Sequence, residues 1–188
     1  MKYKTLVQPE VFACELSFLK DQLRKTDSQQ DAYLKSLIVA SMHMANDYTG
    51  RQLNRATLQA YGQFKGLRIY EIHRGPVVSV TKVEIVTTEN VITELLSSDY
   101  YIIQEDYSIY LIIKDTVYLG AVDYNRPDAV RITYIAGYNW GEETRFPEDI
   151  TNAVALYASR MYLNPDNSID ERNTTSDNLL KKYRCPII

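Results

Sequence analysis

The chain has 188 residues, with 21 Lys and Arg against 24 Asp and Glu for a net charge of −3, and 45% of its residues are hydrophobic. That length supports a sizeable core without disulfides or metal, and that composition excludes wholesale disorder. The near-neutral balance excludes a protein that coats nucleic acid, because such binding needs clustered Lys and Arg to displace condensed counterions.

Residues 1–10 read as a polar lead-in. Leu16, Leu19 and Leu23 then fall at helical spacing and predict a short amphipathic helix over 15–25. Ser28 and Asp31 have the spacing of a capping box and open a second, longer helix, whose apolar face is Leu34, Ile38, Ala45 and Tyr48, widened by Leu37, Ser41 and Met44. Gly50 suits a left-handed C-terminal residue, so this helix should end at Thr49.

From Arg55 to Trp140 the pattern changes to short alternating runs rich in β-branched and aromatic residues. Strands are predicted over 56–61, 67–72, 77–86, 99–103, 109–113 and 129–134, with turns at Arg74-Gly75-Pro76 and Asn125-Arg126-Pro127-Asp128. With no helical period between them, these strands imply an antiparallel sheet or small barrel and not βαβ units. Helical period returns after Phe146: Pro147 suits the first helical position, Glu148 and Asp149 suit the positive end of the dipole, and Ile150, Val154, Tyr157 and Met161 form one face. Asn164-Pro165-Asp166 ends it, 167–176 is polar, Asp177 is expected to cap a last turn through Leu180, and a tail follows. The expected fold class is α+β: a small bundle of two N-terminal helices plus a C-terminal helix, an inserted antiparallel β domain and an extended tail. The expected divisions are 1–54, 55–140 and 141–188, the last packing with the first.

Catalytic chemistry finds little material. His43 and His73 are the only histidines, one among the methionines of the second helix and one at a strand end, and neither has Cys or His at metal-ligand spacing. Cys14 and Cys185 are the only cysteines and lack an activating neighbour, so reduced structural thiols are expected. There is no GxGxxG, Walker-type loop, HExxH or CxxC. The acidic pairs Glu105-Asp106 and Glu142-Glu143 read as solvated surface, and Asp166, Asn167 and Asp170 lack the Gly and terminal Glu of a calcium loop. Asn173-Thr174-Thr175 has the glycosylation pattern without a secretory signal. No stretch approaches the roughly 18 apolar residues of a membrane span. No enzyme activity, cofactor, metal site or membrane association is therefore expected. The closing Lys181-Lys182-Tyr183-Arg184 followed by Pro186-Ile187-Ile188 combines charge, an aromatic anchor and an apolar end, as in a peptide that docks on a partner.

The order of elements, with several local strings, resembles the head-tail connector (adaptor, or head-completion) proteins of long-tailed bacteriophages, in the longer branch that carries a β insert. The strings are Gln22-Leu23-Arg24, the helix end Asn46-Asp47-Tyr48-Thr49-Gly50-Arg51-Gln52-Leu53, Arg74-Gly75-Pro76-Val77-Val78-Ser79-Val80 and Ser98-Asp99-Tyr100-Tyr101-Ile102-Ile103. Val130-Arg131-Ile132-Thr133-Tyr134-Ile135-Ala136-Gly137-Tyr138, Phe146-Pro147-Glu148-Asp149-Ile150 and Leu179-Leu180-Lys181-Lys182-Tyr183-Arg184 complete the set. The chain departs from the family in a core with more Met and Tyr than Ala, and in the long polar segment 166–176.

The resemblance implies a virion protein assembled in the host bacterial cytoplasm. It would form a homo-oligomeric ring, commonly of twelve subunits, beneath the portal, extending the DNA channel without sequence-specific DNA binding and meeting a downstream connector, stopper or tail terminator. It also implies that the C-terminal segment docks on the portal, through Lys181, Lys182, Tyr183, Arg184, Ile187 and Ile188. The other reading of the residues is a tail- or baseplate-associated β-domain binding protein, since tyrosine-rich β surfaces suit sugar faces, and 10 of the 16 tyrosines lie between Tyr61 and Tyr138.

Overall fold

The alternating segments pair as antiparallel strands and the helical-period segments pack as helices, in a computed structural model that describes residues 1–105, 108–139, 145–165 and 174–185. The chain divides into two compact units, one of Met1–Pro9 with Arg55–Gly137 and one of Glu10–Asn54 with Tyr138–Ile188. The α+β class expected from the sequence holds.

The β unit contains eight strands, β1 (Lys2–Val7), β2 (Ala56–Gly62), β3 (Ile69–Ile72), β4 (Val77–Val86), β5 (Ile92–Glu94), β6 (Tyr100–Gln104), β7 (Ile109–Ile113) and β8 (Val130–Ala136). They form a five-stranded sheet in the order β1-β2-β8-β4-β5 and a three-stranded sheet in the order β3-β7-β6, with every pairing antiparallel. Strict alternation makes the core: Leu58 and Ala60, Tyr70 and Ile72, Val83 and Ile85, Leu111 and Ile113, and Ile132 and Tyr134 all turn into one cluster between the sheets. Each fully buried aliphatic side chain there is worth about 1.5–3 kcal/mol in transfer free energy.

Two strands appear beyond the six read from the sequence. Residues 2–7, read as a polar lead-in, form β1 along β2, because Tyr3 packs on the core while Lys2 and Lys4 point to water. The second strand of the predicted set, 67–72, is shortened at its start, and the short β5 is added beyond the six expected. Arg68, in left-handed conformation with φ 55°, turns the chain into β3, and its guanidinium donates to the carbonyls of Lys114 and Val117 at 2.9 and 3.1 Å.

The helical unit contains α1 (Leu16–Gln22), α2 (Asp31–Thr49), α3 (Glu148–Leu163) and α4 (Thr175–Leu180). α1 stops before the predicted Lys25, since Arg24 adopts a left-handed φ of 55°. The Ser28 capping box does not form. Gln30 occupies the cap position without a side-chain capping bond, and Asp31 instead pairs with Lys20 of α1 at 2.8 Å. α2 ends as predicted at Thr49, with Gly50 at φ 68°. Its buried face is Leu34, Leu37, Ile38, Ser41, Met42, Ala45, Asn46 and Thr49, so Met42 takes the core place expected for Met44, which is exposed. The run 34, 38, 42, 45, 49 keeps one stripe on a 3.6-residue period, which Met44 leaves. Pro147 sits one position earlier than predicted, as the cap before α3. Ile150, Ala153, Val154, Tyr157 and Ala158 of α3 join Leu34, Ile38, Met42 and Leu180 in a second core, with Met161 at its margin.

Candidate partner-binding surface

Where α2 ends, the chain makes a buried polar knot. Leu53 N–H donates to Asn46 Oδ1 at 2.9 Å, Asn46 Nδ2 donates to Asn54 Oδ1 at 3.1 Å, and Gln52 Nε2 donates to the same oxygen at 3.0 Å and to Asn54 O at 2.9 Å. Three amide side chains satisfy one another inside the core, and losing any one would strand a buried partner. This gives the string from Asn46 to Leu53 a structural purpose that spacing alone did not reveal. Tyr138 N–H donates to Leu53 O at 2.7 Å and the Tyr138 ring lies 5.9 Å from that of Phe146, which ties the entry to α3 to the same place.

The C-terminal segment is laid against this knot. α4 starts from Thr174, whose hydroxyl accepts from Asp177 N–H at 3.2 Å while Asp177 Oδ2 accepts from Thr174 N–H at 2.9 Å. The capping residue is therefore Thr174, and Asp177, expected to cap, is its reciprocal partner in the first turn. Asp177 also accepts a hydrogen bond from Tyr157 of α3, and burial followed by that bond pushes the Tyr157 phenol well above its ordinary value. Ser176, at the end of the stretch read as polar, is buried.

A 3₁₀ turn, Lys181–Tyr183, continues from α4, so the segment is helical where an extended tail was expected. Lys182 pairs with Asp149 in the first turn of α3 and lies 5.1 Å from the Tyr183 ring centroid. Tyr183 packs at the margin of the helical core, and Arg184 stacks 5.8 Å above the ring of Tyr48. Cys185 N–H donates to Thr49 O at 2.8 Å, and its Cβ would lie 3.7 Å from a Cβ placed on Gly50. The orphan carbonyl at the end of α2 thus finds its donor in the tail. Of the candidate interface residues, Lys181, Lys182, Tyr183 and Arg184 come together here, whereas Ile187 and Ile188 lie outside the described residues.

The remaining candidates for chemistry stay apart. His43 is exposed on α2. His73 Nε2 is 3.5 Å from Glu71 Oε2, and Glu71 also accepts from Tyr110 at 2.8 Å and from Ser108 at 3.4 Å. The Ser108 hydroxyl donates to the carboxylate and not to the imidazole, so the Ser–His pair of a catalytic triad is not formed. Burial, reinforced by the charge of Glu15, pushes the Cys14 thiol up to about 12, the opposite of an activated nucleophile. Among the described residues no three His, Cys, Asp or Glu gather as a metal would require, and no helix is long and apolar enough to cross a membrane. Glu105 is exposed; Asp106, the Glu142-Glu143 pair, Asp166, Asn167, Asp170 and Asn173 lie outside the described residues.

No protein-family model and no curated protein matches the chain. Solved structures do. A chain from the neck of an empty gene transfer agent (GTA) particle, computed with C6 symmetry, superposes with a TM-score of 0.79 at 17% identity, over 100% of this chain and 97% of the other. A chain from the virion of the native gene transfer agent particle gives 0.77 at 18%, and one from the neck of the native particle, computed with C12 symmetry, gives 0.72 at 19%, with the same coverage of both chains. The chain therefore has, over its whole length, the fold of chains from gene transfer agent particles.

Proposed function

We propose that the protein is a head-tail connector (adaptor) of a tailed phage. Twelve copies form a ring beneath the portal at the junction of capsid and tail, extend the DNA channel and present a surface to the next connector, stopper or tail terminator. The observation that carries this reading is the end-to-end likeness to chains of particle necks, both units included. Fold alone does not dictate function. Here the near-neutral charge suits a lumen through which phosphates slide.

In this reading the protein acts by assembly and not by catalysis. Lys182 and Tyr183 hold the base of the C-terminal arm on the helical unit, Lys181 and Arg184 add charge beside it, and Ile187 and Ile188 supply the apolar end that enters the portal. The test is electron microscopy and mass measurement of the protein mixed with the portal protein of the same genome. The expected result is a twelve-fold ring seated on the portal; no ring and no portal binding under any assembly condition overturns the reading.

A further inference from the structure

The two flanks of the β unit differ in a way that the core does not require. The order of the sheets puts β1 and β3 on one flank, where the Tyr3 hydroxyl accepts from His73 N–H at 3.1 Å. β5 and β6 lie on the other, joined directly through the 3₁₀ turn Ser97–Asp99. Among the described residues no strand pairs with the outer side of β5 or β6.

Hydrogen bonds define what that outer side offers. Glu105 N–H donates to Ser108 O and Lys114 N–H to Asp99 O, both at 2.9 Å, so the odd-numbered residues of β6 bond to β7. By antiparallel alternation, the N–H and C=O groups of Tyr100, Ile102 and Gln104 point away from the sheet. On β5, Leu95 N–H donates to Val83 O at 2.8 Å, which leaves the backbone of Ile92 and Glu94 facing outward in the same way. Several large apolar side chains along this flank lie in water: Ile92 is 51% exposed, Leu96 70%, Tyr101 56%, Ile102 46% and Ile103 49%. Natural edge strands are usually blunted by charge, above all by lysine. β1 has that protection in Lys2 and Lys4; β6, Tyr-Tyr-Ile-Ile-Gln, has no charge at all.

Charge identifies the occupant. Residues 89–105 contain Glu89, Glu94, Asp99 and Glu105 and no Lys or Arg, whereas residues 1–9 contain Lys2 and Lys4 and no acid. Two β5–β6 flanks brought face to face would set acid against acid. A β1 flank brought to a β5–β6 flank sets lysine near glutamate on the outer face of the five-stranded sheet. Glu94 is already on that face, where it shares Lys82 with Glu84. Because each neighbour in the order β1-β2-β8-β4-β5 is antiparallel, β1 and β5 run in the same direction, so a rotated copy presents its β1 parallel to β5.

We propose that the β5–β6 flank of one copy is an open docking edge that takes the Lys2–Val7 strand of the next copy. The join is heterologous, head to tail, and repeats around a ring; this deepens the connector reading and rests on it. It assigns the uncharged β6 edge and the exposed Ile92, Leu96 and Tyr101 a covered state in the assembly.

The experiment places the photoreactive residue benzoylphenylalanine at position 101 and irradiates rings assembled on the portal. The expected products are a ladder of covalent multimers, with the cross-link mapping to the peptide that contains residues 1–10. In parallel, Lys2→Glu with Lys4→Glu is expected to lower the assembled fraction about tenfold, and adding Glu94→Lys with Glu105→Lys to restore it, as paired charges at an interface should. Rings that form normally while position 101 cross-links elsewhere, to another protein or to nothing overturn the edge and leave the connector reading standing. A charge-reversed chain that assembles as well as the parent does the same. Failure of the parent chain to form any ring overturns both.

Discussion

At the scale of single residues, several side chains carry more than their position in the sequence suggested. Asp128, read as part of a turn, accepts from Arg126 Nε at 2.8 Å and from Arg131 Nη2 at 2.6 Å, and so locks that turn to β8. The bond from Arg131, followed by that from Arg126 and opposed by partial burial, holds its carboxyl below its ordinary value of 3.8. The folded state therefore binds this proton less readily than the unfolded chain. The resulting stability is fully present above the unfolded pKa and is lost as the pH falls through the lower folded one. Urea unfolding measured between about pH 2.5 and 7 should show Asp128→Asn losing less stability than the parent below about pH 4. Parallel curves would mean that the two guanidinium contacts add nothing. The tyrosines likewise divide by position: Tyr70 and Tyr134 are wholly buried core residues, whereas Tyr101, Tyr118 and Tyr124 are exposed. Composition counts them alike.

At the scale of elements, most of the chain was legible because its periods are strong. α2, β4 and β7 have the bounds or ends that alternation and helical spacing predict. The misreadings occur where local rules compete with tertiary contacts. Ser28 has capping-box spacing but Asp31 finds a better partner in Lys20; Met44 and Met42 are equally apolar, yet only one faces α3; β1 has too little periodicity to be seen without β2 beside it. The C-terminal arm belongs here as well. Lys182, Tyr183, Arg184 and Cys185 each contact the helical unit, so a cut after Leu180 would remove packing together with any docking role. The cleaner variant ends at Cys185 and lacks only residues 186–188. Its thermal unfolding should match that of the parent, while its attachment to the portal, followed by co-sedimentation, should be lost. Retained attachment would move docking away from Ile187 and Ile188.

At the scale of the whole molecule, two separate cores and a balanced charge set what the chain can do. Each unit has its own buried cluster, and the proposed docking edge and the proposed arm belong to different units. With 24 acidic against 21 basic side chains, the protein lacks the excess that counterion release requires. It should fail to retard duplex DNA in a gel at physiological salt, and strong salt-dependent retardation would contradict a lumen that lets DNA slide. The sequence by itself determined the α+β class, the order of helices around a β insert and the poverty of catalytic groups, because hydrophobic period and residue inventory are local properties. Only the tertiary structure decided that residues 2–7 close the sheet, that the tail folds back on the end of α2 and that β5 and β6 form one open flank. Those features depend on which backbone groups and side chains meet across many residues of separation, and pairing energies of that kind leave no local mark in the chain.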